Sequence, residues 1–306
     1  MDQQFKTPIL FLIFNRPDTT EIVFESIRRM KPARLYIAAD GPRLTKDGEK
    51  NLCEKTRAIT NKIDWDCDVK KLFRNENLGC KMAVSSAISW FFENEEEGII
   101  LEDDCLPNHS FFTFCEAMLK QYRFDMRVMH ISGSNFQDGI NYGDGSYFFS
   151  KVHYIWGWAT WRRAWDKYDI SMSGYDSFLQ SKSLKKLFPK RYIQQLWLEV
   201  FQKIRSGVLN TWDYQWTFSI WKENGLGITP NANLVSNIGF SNDATHTQSS
   251  SNDILANRST NEMIEIVHPT QMDRDYAAEK YTLDKYIVKG IKNKIVLSIK
   301  NLLKRG

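Results

Sequence analysis

The chain has 306 residues, 42% of them apolar and 25% charged, with a formal net charge of +4. That length and balance suit a compact chain with a substantial core and exclude a disordered or fibrous protein. So small a positive excess gives no global electrostatic case for nucleic acid as a partner.

Short apolar runs alternate with helical patterns through the first third, as βαβ units and a parallel sheet require. Ile9 to Phe14 reads as a buried first strand. The spacing of Asp18 and Glu21 suggests a capping box, opening a helix with Ile22, Val23, Ile27 and Met30 inward. Leu35 to Ala39 is a second strand, closed by the turn signal Asp40-Gly41-Pro42. A polar helical segment leads to a third strand near Val69 to Phe73, and a helix from about Lys81 to Phe92 turns Ala83, Ala87, Ile88 and Phe91 inward. Gly98 to Leu101 makes a fourth strand that runs straight into Glu102-Asp103-Asp104.

Beyond Pro107 a helix carries Phe111, Phe114, Met118 and Leu119, and Val128 to Ser132 reads as a fifth strand. Tyr147 to Trp165 is dense in aromatics, and Ser181 to Glu223 is mostly helical. Residues 241–262, rich in Ser, Thr, Asn and Asp, read as a surface loop of the kind that serves as a lid. The last segment, Lys285 to Gly306, holds seven Lys or Arg and no acidic residue. Its apolar residues recur at helical spacing, which fits either a basic amphipathic helix on anionic lipid or a docked helix with solvated lysines.

Five cysteines without a CxxC pair are neither a zinc signature nor a disulfide framework. The first fifteen residues lack the basic start and apolar core of a secretion signal, and no run approaches the roughly 18 apolar residues that span a bilayer. The expected location is cytoplasmic, with peripheral membrane contact through Lys285 to Arg305.

Chemistry concentrates where strands end. Glu102-Asp103-Asp104 follows an apolar strand, at the carboxyl edge where open α/β sheets bind ligands. Three adjacent carboxylates repel one another, and a divalent cation bridging them to a diphosphate would hold them together. Taken alone, such a triplet is equally a solvated loop or a helix N-cap. Asp40 is equally a turn aspartate, and Gly79 equally a helix cap.

With Asn15-Arg16 after the first strand, Asp40 after the second, Asn77-Leu78-Gly79-Cys80-Lys81, the Glu-Asp-Asp triplet and Thr211-Trp212-Asp213, the sequence resembles the GT-A nucleotide-sugar transferases. It is most similar to the N-acetylglucosaminyltransferase I type, over Pro8 to about His246. The resemblance implies an α/β, Rossmann-like, mostly parallel sheet flanked by helices, with a helical and loop-rich acceptor region. Residues 1–135 would form the nucleotide-sugar-binding half, 136–250 the acceptor and catalytic half, and 251–306 a C-terminal extension.

It also implies roles for single residues. Arg16 would contact the nucleotide and Asp40 its base, with Asn77, Gly79 and Lys81 beside the sugar nucleotide. Glu102 would lie near the donor sugar and Asp103 near the ribose, while Asp104 would ligate Mn2+ or Mg2+, with His246 as a second metal ligand. Trp156, Gly157 and Trp158 would line the sugar and acceptor pocket, where clustered aromatics equally suit core packing. Asp213 would be the single base of an inverting transfer, and it equally suits a helix N-cap, a role that need not exclude the first. The donor so implied is a UDP-sugar, with N-acetylglucosamine the sugar suggested, and the acceptor a saccharide or lipid-linked saccharide of surface polysaccharide synthesis. Two other readings stand beside this one: a sugar nucleotidyltransferase, against which the absence of a Gly-rich basic loop after the first strand counts, and a non-catalytic carbohydrate-binding protein.

Overall fold

The computed structural model describes residues 4–240 and 257–287. Its strands are β1 (Ile9–Ile13), β2 (Arg34–Ala39), β3 (Asp68–Phe73), β4 (Glu97–Glu102), β5 (Cys105–Pro107), β6 (Val128–Ser132), β7 (Tyr147–Ser150), β8 (Trp158–Trp161), β9 (Leu226–Pro230) and β10 (Val235–Asn237). Its helices are α1 (Pro17–Met30), α2 (Glu49–Ile59), α3 (Gly79–Asn94), α4 (His109–Gln121), α5 (Arg162–Trp165), α6 (Tyr175–Gln180), α7 (Ser183–Leu187), α8 (Arg191–Arg205), α9 (Asp213–Lys222) and α10 (Tyr276–Thr282).

Eight strands form one sheet in the order β3-β2-β1-β4-β8-β6-β9-β7. The first four are mutually parallel, β8 runs antiparallel between β4 and β6, β9 is parallel to β6, and β7 is antiparallel at the edge. This mostly parallel sheet flanked by helices is the Rossmann-like α/β architecture expected from the sequence. β5 and β10 make a separate antiparallel pair.

Strand alternation sends side chains to two cores, as the two-residue period demands. Ile9, Phe11 and Ile13 of β1 pack with residues of α1 and α4, while Leu10 and Leu12 pack with those of α3 and the later helices. Covered on both faces, β1 is buried along its whole length, so its sequence is a continuous apolar run.

The start of α1 departs from the expected capping box. Pro17 occupies the first turn, no side chain caps the helix, and Thr20 instead bonds its hydroxyl back to the Arg16 carbonyl at 2.6 Å. A proline with preset φ and no N–H to satisfy makes a side-chain cap less necessary there. The buried face is Thr20, Val23, Phe24 and Ile27, an i, i+3, i+4, i+7 stripe, whereas Ile22 is 48% exposed. The expected face was therefore displaced around the helix axis.

A carboxylate joins the last described residues to the body. Asp138 accepts hydrogen bonds from Lys285 (2.6 Å), Tyr281 (2.6 Å), Tyr286 and Arg258 (2.8 Å). Burial pushes the Asp138 carboxyl up, but these donors outweigh it and hold its pKa below the usual carboxylate range. A depressed carboxyl stabilises the fold above its unfolded pKa, and that contribution disappears as pH falls through the folded value. Asp138→Asn is expected to lose roughly 1–2 kcal/mol at pH 7, with the gap to wild type closing below about pH 4. Denaturant unfolding of both proteins across that range is the check.

Candidate functional site

The parallel strands β1, β2, β3 and β4 all deliver their carboxyl ends to one edge of the sheet, where a cavity of about 300 Å³ opens. It is lined by Arg16, Asp40, Asn77, Gly79, Glu102, Asp103, Asp104, Trp156 and Asp213, together with Asn15, Arg43, Arg74, Thr211 and Asn237 among others. Residues 88 and more positions apart in sequence thus meet there.

Glu102 is the last residue of β4, and Asp103 and Asp104 form the turn into β5. Asp103 is 8% exposed and accepts the Phe14 amide at 2.9 Å, which ties the triplet to the end of β1. Arg16 Nη1 donates to Asp104 Oδ2 at 2.8 Å. The cap of α4 is Asn108, which accepts from the Phe111 amide, so Asp104 is no N-cap. The pairing of β5 with β10 brings Asn237 to Gly239 alongside, and the Ile238 amide donates to the Asp104 carbonyl at 2.8 Å. A Cβ at Gly239 would lie 2.6 Å from the Asp104 Cβ and 2.8 Å from Arg16 Nη1, so only glycine lets the chain pass so close.

Burial, then the charges of Asp104, Asp103 and Asp213, push the Glu102 carboxyl well above the usual range. Burial and Asp104 push Asp103 up as well. Successive carboxylates thus share the Arg16 guanidinium in a partly desolvated cleft. Among the described residues no group of three or more His, Cys, Asp or Glu is arranged to hold a metal ion. The all-oxygen donors nonetheless fit a hard divalent cation seated on Asp104 and completed by phosphate oxygens and water, the coordination that Mg2+ favours. His246, expected as a second ligand, lies outside the described residues.

Asp213 is the first residue of α9, and its carboxylate accepts the Thr211 hydroxyl. The N-cap is Trp212, with no side-chain capping bond, so the capping role considered for Asp213 is not the one it has.

Asp40 is 8% exposed, and its carboxylate is bonded to the Gly41 amide (3.0 Å), the Leu78 amide (3.0 Å), the Gly79 amide (3.1 Å) and Asn77 Nδ2 (3.0 Å). Its side chain therefore fastens the Asn77 to Gly79 loop to the end of β2. Gly79 has a φ of +75°, while a Cβ there would meet only Asn210 Nδ2 at 3.6 Å, so conformation rather than space calls for glycine. Lys81 lies in the first turn of α3 and does not line the cavity.

The aromatic segment divides. Trp156 lines the cavity, with edge contacts to Phe136 (5.5 Å) and Phe240 (5.6 Å). Trp158 does not reach it: fully buried in β8, it stacks between His130 (5.0 Å) and Trp212 (5.6 Å). Gly157 has a φ of +62°, and a Cβ there would strike Val235 at 2.8 Å, so it clears aliphatic side chains rather than rings.

Sequence reasoning passed over Arg43 and Arg74. Arg74 directly follows β3 and bonds Ser86 Oγ at 2.8 Å, and Arg43 pairs with the buried Glu49, which also accepts from Asn15 at 2.9 Å. The edge logic that singled out Asp40 after β2 applies equally to Arg74 after β3.

Fold and cleft together define a Rossmann-like α/β protein with an acidic, arginine-flanked cavity at its carboxyl strand edge. No family model and no curated protein matches the chain. Among solved structures, it is similar to the mannosyltransferase PcManGT from Pyrobaculum calidifontis in complex with GDP-Man and Mn2+, at a TM-score of 0.34 and 13% identity over 51% of this chain and 45% of that one. The match thus spans less than half of the mannosyltransferase. HddC from Yersinia pseudotuberculosis gives 0.30 and 9% over 51% and 77%, and a UDP-glucose pyrophosphorylase complexed with UDP-glucose gives 0.31 and 10% over 53% and 78%.

Proposed function

We propose that the chain is a metal-dependent, inverting glycosyltransferase that takes a sugar from a nucleoside diphosphate sugar, with a UDP-sugar the donor implied by the sequence resemblance. The observation that carries this reading is the meeting, in one cavity, of the Glu102 to Asp104 turn with Asp213 from the start of α9. A divalent cation on Asp104 would supply positive charge for the departing diphosphate. Arg16, Arg43 and Arg74 surround the same space with guanidiniums suited to phosphate oxygens. Asp213 takes the proton of an acceptor hydroxyl as that oxygen attacks the anomeric carbon from the face opposite the leaving group. Trp156 offers a ring to a sugar face. The acceptor is a saccharide or lipid-linked saccharide.

Calorimetric titration with UDP, with and without Mn2+, tests the donor site. Wild type is expected to bind UDP in a Mn2+-dependent way, and Asp104→Ala to lose that dependence with a fall in affinity of about 100-fold. Equal binding by the variant would remove Asp104 from the metal's place.

A second reading, a sugar nucleotidyltransferase, is favoured by the three arginines lining the cavity, which would also suit a triphosphate. The two part on one assay: pyrophosphate release from a nucleoside triphosphate and a sugar 1-phosphate supports the second, and release of nucleoside diphosphate from a nucleotide sugar the first. Peripheral membrane contact through Lys285 to Arg305 rests on residues of which only Lys285 to Ile287 are described. Lys285 itself bonds Asp138. No helix among the described residues is long and apolar enough to cross a membrane.

A further inference from the structure

Asp104, the carboxylate assigned to the cation, already has a cationic partner within the chain. Arg16 Nη1 sits 2.8 Å from its Oδ2, with 19% and 13% of the two side chains exposed, so the pair is largely shielded from water and salt. Among the described residues Asp104 Oδ1 takes a weak contact from Cys105 Sγ at 3.4 Å. Gly239 passes against the pair, and both Arg16 and Asp104 line the cavity, so the guanidinium borders the space where a diphosphate would lie.

Resting on the donor-site reading, we infer that Arg16 is an exchangeable counter-ion: it holds Asp104 against a bare divalent cation and releases it when a nucleoside diphosphate offers the guanidinium phosphate oxygens. A guanidinium and a metal ion compete for one carboxylate, whereas a guanidinium and a phosphate attract. Arg16 therefore opposes binding of the cation alone and favours binding of cation and diphosphate together. By linkage each ligand then raises the affinity for the other by the same factor, and part of that factor belongs to Arg16.

The test is Mn2+ binding to the full chain without nucleotide, followed by the spectroscopic signal of free Mn2+, in wild type, Arg16→Met and Arg16→Lys. Arg16→Met is expected to bind bare Mn2+ about ten-fold more tightly than wild type, and to bind UDP at saturating Mn2+ about ten-fold more weakly. Arg16→Lys falls between, because a shorter point charge reproduces the pair only in part. Should Arg16→Met fold poorly, Arg16→Lys decides alone: tighter bare Mn2+ upholds the exchange. Bare Mn2+ affinity that stays the same or weakens when Arg16 is replaced overturns it, while the Asp104→Ala titration with UDP judges the donor site separately. Mn2+ binding that survives in Arg16→Met combined with Asp104→Ala overturns both, since the cation would then lie elsewhere.

Discussion

Asp213→Asn is expected to lower the rate of sugar transfer by roughly 10²–10⁴ while leaving nucleotide affinity within about two-fold, because general-base catalysis contributes on that order and the change removes charge without removing shape. The asparagine side chain can keep the hydrogen bond that Thr211 gives Asp213, and the N-cap of α9 is Trp212 rather than the substituted residue. The local fold is therefore preserved. The cavity wall formed by Glu102 to Asp104 is untouched, so Mn2+-dependent binding of UDP should persist in the variant. Steady-state transfer rates beside calorimetric affinities separate the two terms. A variant that transfers at the wild-type rate would show that another group takes the proton. One that loses binding and rate together would place Asp213 among the residues that hold the donor.

The GT-A resemblance marked Asp213, while much of its setting was not legible in the sequence, and the reason is the range of the interactions. Parallel strands buried on both faces must be continuous apolar runs, and a polar residue just past such a run lands at the ligand-binding edge. That logic singled out Glu102 to Asp104 from local pattern, whereas Arg16, Asp40 and Asn77 were marked by the GT-A resemblance; all of them line the cavity. Neither carries information on which groups bond one another across it. The Arg16 to Asp104 pair spans 88 positions, and the use of the Asp40 carboxylate to fasten a loop depends on amides 38 and 39 residues away. The two tryptophans show the same limit. Trp156 and Trp158 stand two apart and would share a face in a regular strand, but β8 begins only at Trp158, and the positive φ of Gly157 breaks the alternation between them. Nothing local announces that break.

That division of the aromatic segment yields the largest expected effect on stability. Trp158→Ala is expected to destabilise the protein by about 3–5 kcal/mol, the range for truncating a buried tryptophan. Trp158 is 0% exposed, lies in the strand between Ile100 and Ser132, and packs against His130, Trp165, Trp212 and Trp216. Among the described residues its indole nitrogen has no hydrogen-bond acceptor, so packing holds it, and Trp158→Phe should cost much less than Trp158→Ala. Trp156→Ala, on the cavity wall, should instead leave stability within about 1 kcal/mol and raise the KM for the acceptor. Denaturant unfolding of the three variants ranks the stabilities; a Trp158→Ala protein as stable as wild type would contradict its burial. Because Trp158 stacks on Trp212, the residue immediately before Asp213, its truncation also removes the support behind the proposed base. The folded fraction of Trp158→Ala should accordingly lose kcat, the signature of a misplaced catalytic group, where Trp156→Ala loses acceptor affinity.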